Sequence, residues 1–329
     1  MVLFYLYRIA VTTMNIRSEA PIKPSLQRKE RALFKYRYIY LMLLPAALYV
    51  FVFSYVPLFG WVLAFNDYNA GMGIFKSRWV GLENFRFFFL VSSDYGYTIR
   101  NTLAINLGSI VFGVTVPMVF ALLLTELPSR KTDNVMQTVA LFPYFIAWAV
   151  AYSIFYSFFA PVSGVVNQVL MKIGILEKPF NLLGDSRYSW LLIWGANLWK
   201  WFGYYAVIYT ASIAGIPKEM YEVAEIDGAS RFQRVWHITL PHLLGTVMIL
   251  LIINSGSVFN SDLGQLMLFQ NPTNRPTMEV LDMFIYRSGI QQGDFSYATA
   301  VGIIKTIISL TLLIVVNSIS KRVSETSLF

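Results

Sequence analysis

Long stretches of this chain carry no charge at all, and that constrains its fold more than any other feature. Tyr38 to Asn66 holds no Asp, Glu, Lys or Arg, and the same is true of Asn101–Thr125 and Asn134–Met171. A membrane-crossing helix needs roughly 20 apolar residues. Soluble domains rarely leave such runs uninterrupted, because about a quarter of their residues are charged. Here charged residues make up 13% and hydrophobic ones 56%. The chain therefore reads as an all-α integral membrane protein of about six spans, at 38–66, 101–125, 134–160, 188–215, 243–261 and 297–319. Pro45 and Pro57 in the first span are tolerated there. Pro161, Ser163 and Gly164 end the third, and a short surface helix is expected within 161–187. The segments 67–100 and 262–296 read as loops.

The net charge is +8, but the basic residues crowd beside apolar segments. That distribution speaks for membrane topology and against nucleic acid. An even number of spans puts both termini on one side. That side holds the excess of Lys and Arg, most of it in residues 1–37, so the positive-inside rule places both termini and residues 216–242 in the cytoplasm. The expected division is a basic segment at 1–37, a membrane domain at 38–322 and a tail at 323–329. Residues 1–14 are apolar but broken by Arg8 and lack a cleavage site of small residues. They read as a disordered or interfacial terminus, or as an amphipathic helix lying on the membrane. With no cysteine, disulfides, zinc–thiolate sites and Cys nucleophiles are excluded.

Residues 217–241, PKEMYEVAEIDGASRFQRVWHITLP, have the most explicit local pattern. Pro217 suits a first helical turn. Glu219 and Glu222 favour the positive end of the helix dipole. Gly228 suits a left-handed terminus, and Ser230 with Gln233 forms a capping box for a second helix. Physics alone gives helix, glycine break, helix: an amphipathic connector or a re-entrant pair. His237 and His242 lack metal-ligand spacing and read as structural.

This segment resembles the EAA signature of ABC-importer permeases: Glu-Ala-Ala, three residues, Gly, nine residues, Ile, one residue, Leu-Pro. The matching residues are Glu222, Val223, Ala224, Gly228, Ile238, Leu240 and Pro241, and Val223 in place of the first Ala is the one departure. The stretch from Tyr38 onward, with VGLENF at 80–85, is similar to permeases of polysaccharide and oligosaccharide importers. The resemblance implies a translocation subunit that is not itself an enzyme. Its expected partners are a second homologous permease, two ATPase subunits that hold ATP and magnesium, and a solute-binding protein. No cofactor is expected in this chain, and no Walker A pattern is present. The implied cargo is an oligo- or polysaccharide, with an anionic, alginate-like glycan among the candidates. By the same resemblance the first helix of 217–241 docks on an ATPase. Glu222 would meet a basic residue there, Ala224 and Gly228 would allow close approach, and Asp227, Ile238, Leu240 and Pro241 would complete the coupling element.

Polar and aromatic residues inside the spans are candidates for a saccharide path. They are Asn254, Ser257 and Asn260 in the fifth span, and Lys200 with Trp199 and Tyr204 in the fourth. Asn254, Ser257 and Asn260 could equally serve interhelical hydrogen bonds. Lys200 and Lys305 are costly at depth unless they face a partner or cavity, or snorkel to the interface. Two competing classes stay open. An ion-coupled secondary transporter should show internal repeats, and a membrane enzyme should show a reactive cluster; neither is evident.

Overall fold

A computed structural model describes residues 36–92, 94–126, 129–256 and 258–324. The chain divides after Gly60 into two compact units. Helix α1 (Arg37–Val50) continues through a π-helical turn (Phe51–Tyr55) into a 3-10 stretch (Val56–Phe65). Pro57 removes a helical N–H where the π-helical turn passes into the 3-10 stretch, a change of pitch that accommodates the loss, while Pro45 lies within α1. Residues 1–35 and 325–329 lie outside the described residues, and with them the expectations for the basic terminus and most of the tail.

From Trp61 onward, a two-residue hairpin pairs β1 (Asn66–Asp67) with β2 (Arg78–Trp79), and α2 follows (Glu83–Leu90). The long helices are α3 (Tyr95–Thr125), α7 (Ser189–Ala214), α9 (Arg231–Ser255) and α13 (Phe295–Ser324). Between α3 and α7 stand α4 (Arg130–Leu141), α5 (Trp148–Phe159) and α6 (Val165–Lys172). The last is the short helix expected within 161–187. Helix α8 (Lys218–Ile226) precedes α9. After α9 come α10 (Leu263–Phe269), α11 (Arg275–Met278) and α12 (Leu281–Tyr286), which runs on as a π-helical turn (Arg287–Gln291).

Three features differ from the sequence reading. First, the third span is broken: its two halves, Lys131–Phe145 and Trp148–Phe159, meet at 105°. Pro143 sits at the break, inside a 3-10 turn (Phe142–Phe145). Second, the helix begun by the Ser230 capping box is continuous with the fifth span. Pro241 has no N–H to offer the preceding turn, and the helix widens to π geometry at Val235–Thr239 just before it. Third, residues 262–296 are mostly helical. Each piece is too short to show a period, and Asp262 starts the first by accepting the N–H of Gln265.

Apolar burial does not drive helices together inside lipid as it does in water, so close packing and buried hydrogen bonds must do it. Helices α3 and α7 show both. Trp194 lies so close to Gly108 that a Cβ there would come within 2.2 Å of its ring. Its indole donates to the carbonyls of Ala104 and Ile105 at 3.1 Å, and Asn197 donates to Ser109 Oγ at 3.0 Å. Beyond the end of α3, the segment 263–291 is pinned by a buried carboxylate. Glu279 is 1% exposed and pairs with Arg275 at 3.1 Å and Arg287 at 3.0 Å. Asn101 donates to its backbone carbonyl. Burial pushes the Glu279 carboxyl up from its ordinary value, while Arg275 and Gln270 pull it back. Glu279→Ala would leave Arg275 without its carboxylate and Arg287 with Asp94 alone, at 3.0 Å. It should cost about 2–4 kcal/mol, read as a drop in the melting temperature of the purified complex, with Glu279→Gln costing less.

Candidate translocation site and coupling element

The broken third span is rebuilt from outside itself. A helix that stops at Phe145 frees backbone carbonyls that lipid cannot satisfy. The Lys200 ammonium donates to two of them, Tyr144 O and Ile146 O. It also lies over the Trp148 ring, 5.4 Å from the centroid, and is 8% exposed. One turn on, Gly203 lets the α7 backbone touch the α4 backbone; a Cβ there would stand 2.3 Å from Ala140. Trp148 then ties the second half of the span to Asp262, its indole donating to Oδ2 at 2.6 Å.

Beside this joint, α3, α7 and α9 enclose a cavity of about 250 Å³. Helix α3 contributes Asn106 and Ser109, and α7 contributes Asn197, Trp201 and Tyr205. Asn254 closes one wall, while Asn260, Asp262 and Gln265 come from the turn and short helix beyond α9. Tyr205 donates to Asn254 Oδ1 at 3.0 Å, and Asn254 donates to Leu250 O at 2.7 Å. Gln265 is 2% exposed, and its amide nitrogen has no hydrogen-bond partner among the described residues. A buried donor left unsatisfied is costly. Asp262 is the sole charged residue in the lining.

The structure brings Asn254 and Asn260 of the sequence candidates to this cavity. Trp199 and Tyr204 lie elsewhere on α7: Trp199 meets Phe155 edge-on at 5.6 Å, and Tyr204 stacks on Tyr144 at 5.0 Å. Lys200 faces the span break, and Ser257 lies outside the described residues. Asn197, Trp201 and Tyr205 were missed, although a four-residue spacing puts them on one helical face. Gln265 had no signal, because its helix is too short to be read.

At the opposite end of α7, helix α8 closes on Gly228 at φ 77°, a conformation that favours glycine. The Ser230–Gln233 capping box is formed. Pro217 stands one place ahead of the first helical residue, at the cap. Tyr221 and Ile238 pack into the cluster of Ile213, Ile216 and Leu243, and Tyr221 shares a hydrogen bond with Thr239 at 2.9 Å. Arg234 pairs with Glu225 at 3.2 Å. The element is thus braced on one side. Its other side presents Met220, Val223 and Ile226, all exposed. The Glu222 and Asp227 side chains are exposed and have no partner among the described residues, and Ala224 is half-buried. Leu240 and Pro241 begin the long apolar part of α9.

A bundle with a polar cavity at depth and a braced, outward-facing helix at one end defines a membrane translocation subunit. Residues 113–325 match the binding-protein-dependent transport system inner membrane component, and the chain belongs to that family. It is 35% identical over 298 residues to Protein LplB of Bacillus subtilis, covering 91% of this chain and 93% of that one. It is 33% identical over 306 residues to the polygalacturonan/rhamnogalacturonan transport system permease protein YteP of the same organism, covering 92% and 94%. Its fold superposes with TM-score 0.83, at 30% identity and covering 90% of this chain and 99% of that one, on a chain of a bacterial ABC transporter involved in the import of the acidic polysaccharide alginate. The chain is accordingly a multi-pass inner-membrane permease of an ABC importer, with ATP hydrolysis left to separate subunits.

Proposed function

We propose that this chain forms one side of the path by which an ATP-driven importer moves an oligosaccharide across the inner membrane. The observation that carries this reading is the cavity of carboxamides, hydroxyls and two aromatic rings between the long apolar helices, with the buried Gln265 amide nitrogen in its wall unpartnered among the described residues. Sugars offer hydroxyl groups and ring faces, and this lining answers both. At about 250 Å³ the cavity falls just short of the ~300 Å³ at which pockets for drug-sized ligands begin. It suits one sugar ring of a longer glycan. The permeases YteP and AraP of Bacillus subtilis, named for polygalacturonan/rhamnogalacturonan and arabinooligosaccharides, support the class. The proposed assembly adds a second homologous permease, two ATPases bearing ATP and magnesium, and a solute-binding protein. The termini and the α8 element face the cytoplasm, as the distribution of Lys and Arg supports.

No basic residue lines the cavity, so this wall reads hydroxyls and not a uronate charge. Lys200 holds backbone carbonyls instead. Lys200→Ala is therefore expected to depress uptake of neutral and anionic oligosaccharides by the same factor, through loss of the span joint. A selective loss for the anionic substrate would restore Lys200 to the path.

The test is to purify the complex from its native membrane, reconstitute it in nanodiscs, and measure hydrolysis with its binding protein and a panel of malto-, arabino- and galacturonate oligosaccharides. Stimulation by a panel member, with its half-saturation concentration raised about tenfold by Gln265→Leu as one hydrogen bond is lost, is the expected result. A complex without an ATPase, or without a response to any saccharide, would overturn the reading.

A further inference from the structure

Lys305 lies about 15 Å along α13 from its first residue, at ~1.5 Å per residue, where a charge needs a partner. It has one: its ammonium pairs with the Asp282 carboxylate on α12, and each side chain is 14% exposed. Asp282 has a second task. Its Oδ2 accepts the backbone N–H of Ser261 at 2.7 Å. From the other side, Asn106 donates to Ser261 Oγ at 2.9 Å and to Val258 O at 2.7 Å. The irregular turn after α9 is therefore held from α13 through Asp282 and from α3 through Asn106. Non-helical backbone survives at membrane depth only when its polar groups are satisfied by protein, and an ionised carboxylate is a stronger acceptor for such an N–H than a neutral group.

Asn260 sits at the middle of this turn. It is exposed, and its side chain forms no hydrogen bond among the described residues. It lines the cavity described above and also a second one of about 690 Å³ beside α12 and α13, which Asp282, Lys305, Tyr286 and Thr306 help to enclose. Asn260 thus stands in the wall between two chambers.

We propose that Asp282 and Lys305 are positioning residues of the translocation path, fixing the turn 258–262 so that Asn260 guards the passage between the two cavities. The identity of the cargo rests on the saccharide reading above; the geometry of the turn does not. Lys305 pairs with Asp282, Asp282 supplies the acceptor that holds Ser261, and Asn260 meets what passes.

The chain has no native cysteine, so a single introduced thiol reports on the turn directly. Val258 is 3% exposed and Ala121 is fully buried in a different cluster. In the intact complex, Val258→Cys should react slowly with a small charged methanethiosulfonate. Adding Lys305→Met or Asp282→Asn should raise that rate about tenfold through local opening, leaving Ala121→Cys unchanged. Lys305→Arg, or the exchange of Lys305→Asp with Asp282→Lys, should restore protection. With maltotriose and trigalacturonate as probes, half-saturation should rise in the single variants while maximal hydrolysis per complex holds. Unchanged Val258→Cys labelling, or labelling that rises equally at Ala121→Cys, overturns the proposal. Raised labelling with no shift in half-saturation also overturns it. A wild-type complex deaf to both sugars counts against the saccharide reading alone, because the labelling needs no sugar. Should Lys305→Met fail to assemble, Asp282→Asn with Lys305→Arg decides by the same readouts.

Discussion

Gly203→Ala is expected to abolish recovery of folded complex, while Gly195→Ala on the same helix leaves it intact. The two substitutions add the same methyl group. At Gly203 that methyl would lie 2.3 Å from the backbone carbon and oxygen of Ala140 and 2.4 Å from the Leu141 nitrogen. Backbone cannot rotate away as a side chain can, so α4 and α7 must separate. Their separation draws the carbonyls of Tyr144 and Ile146 away from Lys200 and leaves a charge and two acceptors unpaired at membrane depth. The cost exceeds the ~1–3 kcal/mol of ordinary overpacking. At Gly195 nothing lies within 4 Å, and replacing a helical glycine by alanine is worth about 0.5–1 kcal/mol. Size-exclusion profiles and melting curves of the two variants make the comparison. Equal behaviour would show that the two helices do not meet as described.

Glu222→Arg is expected to leave this chain in the membrane with its melting temperature unchanged and to remove most saccharide-stimulated ATP hydrolysis. The side chain is exposed and unpaired among the described residues, so the fold loses nothing when its charge is reversed. A docking partner that meets it with a basic residue would face two like charges, which cost several kcal/mol at a contact. Tyr221→Phe is the complementary case. It removes the hydrogen bond to Thr239 inside the brace, so it should lower stability slightly and leave coupling in place. Full stimulation in Glu222→Arg would remove that residue from the coupling role.

The helix pair at 217–241 was readable because its signals are local. Gly228, the Ser230–Gln233 box and the spacing from Glu222 to Pro241 act within a few residues, and the structure contains the left-handed glycine and the cap as expected. The cavity wall was only half readable. Asn254 and Asn260 were evident as polar residues in an apolar run. Trp199 and Tyr204 stand out in the sequence because they flank Lys200, while the cavity takes Trp201 and Tyr205 from the same helix.

What the sequence determined by itself is what free energy of transfer decides: long uncharged runs place the chain in a membrane as a set of apolar helices. The tertiary structure decided what each polar residue in those runs does. Lys200 and Lys305 look alike in the sequence, each a lone charge within a span. One closes a broken helix by binding its carbonyls, and the other neutralises a carboxylate twenty-three residues away. The physical reason is that a charge in an apolar medium takes its role from the partner that satisfies it, and that partner comes from another element of the fold.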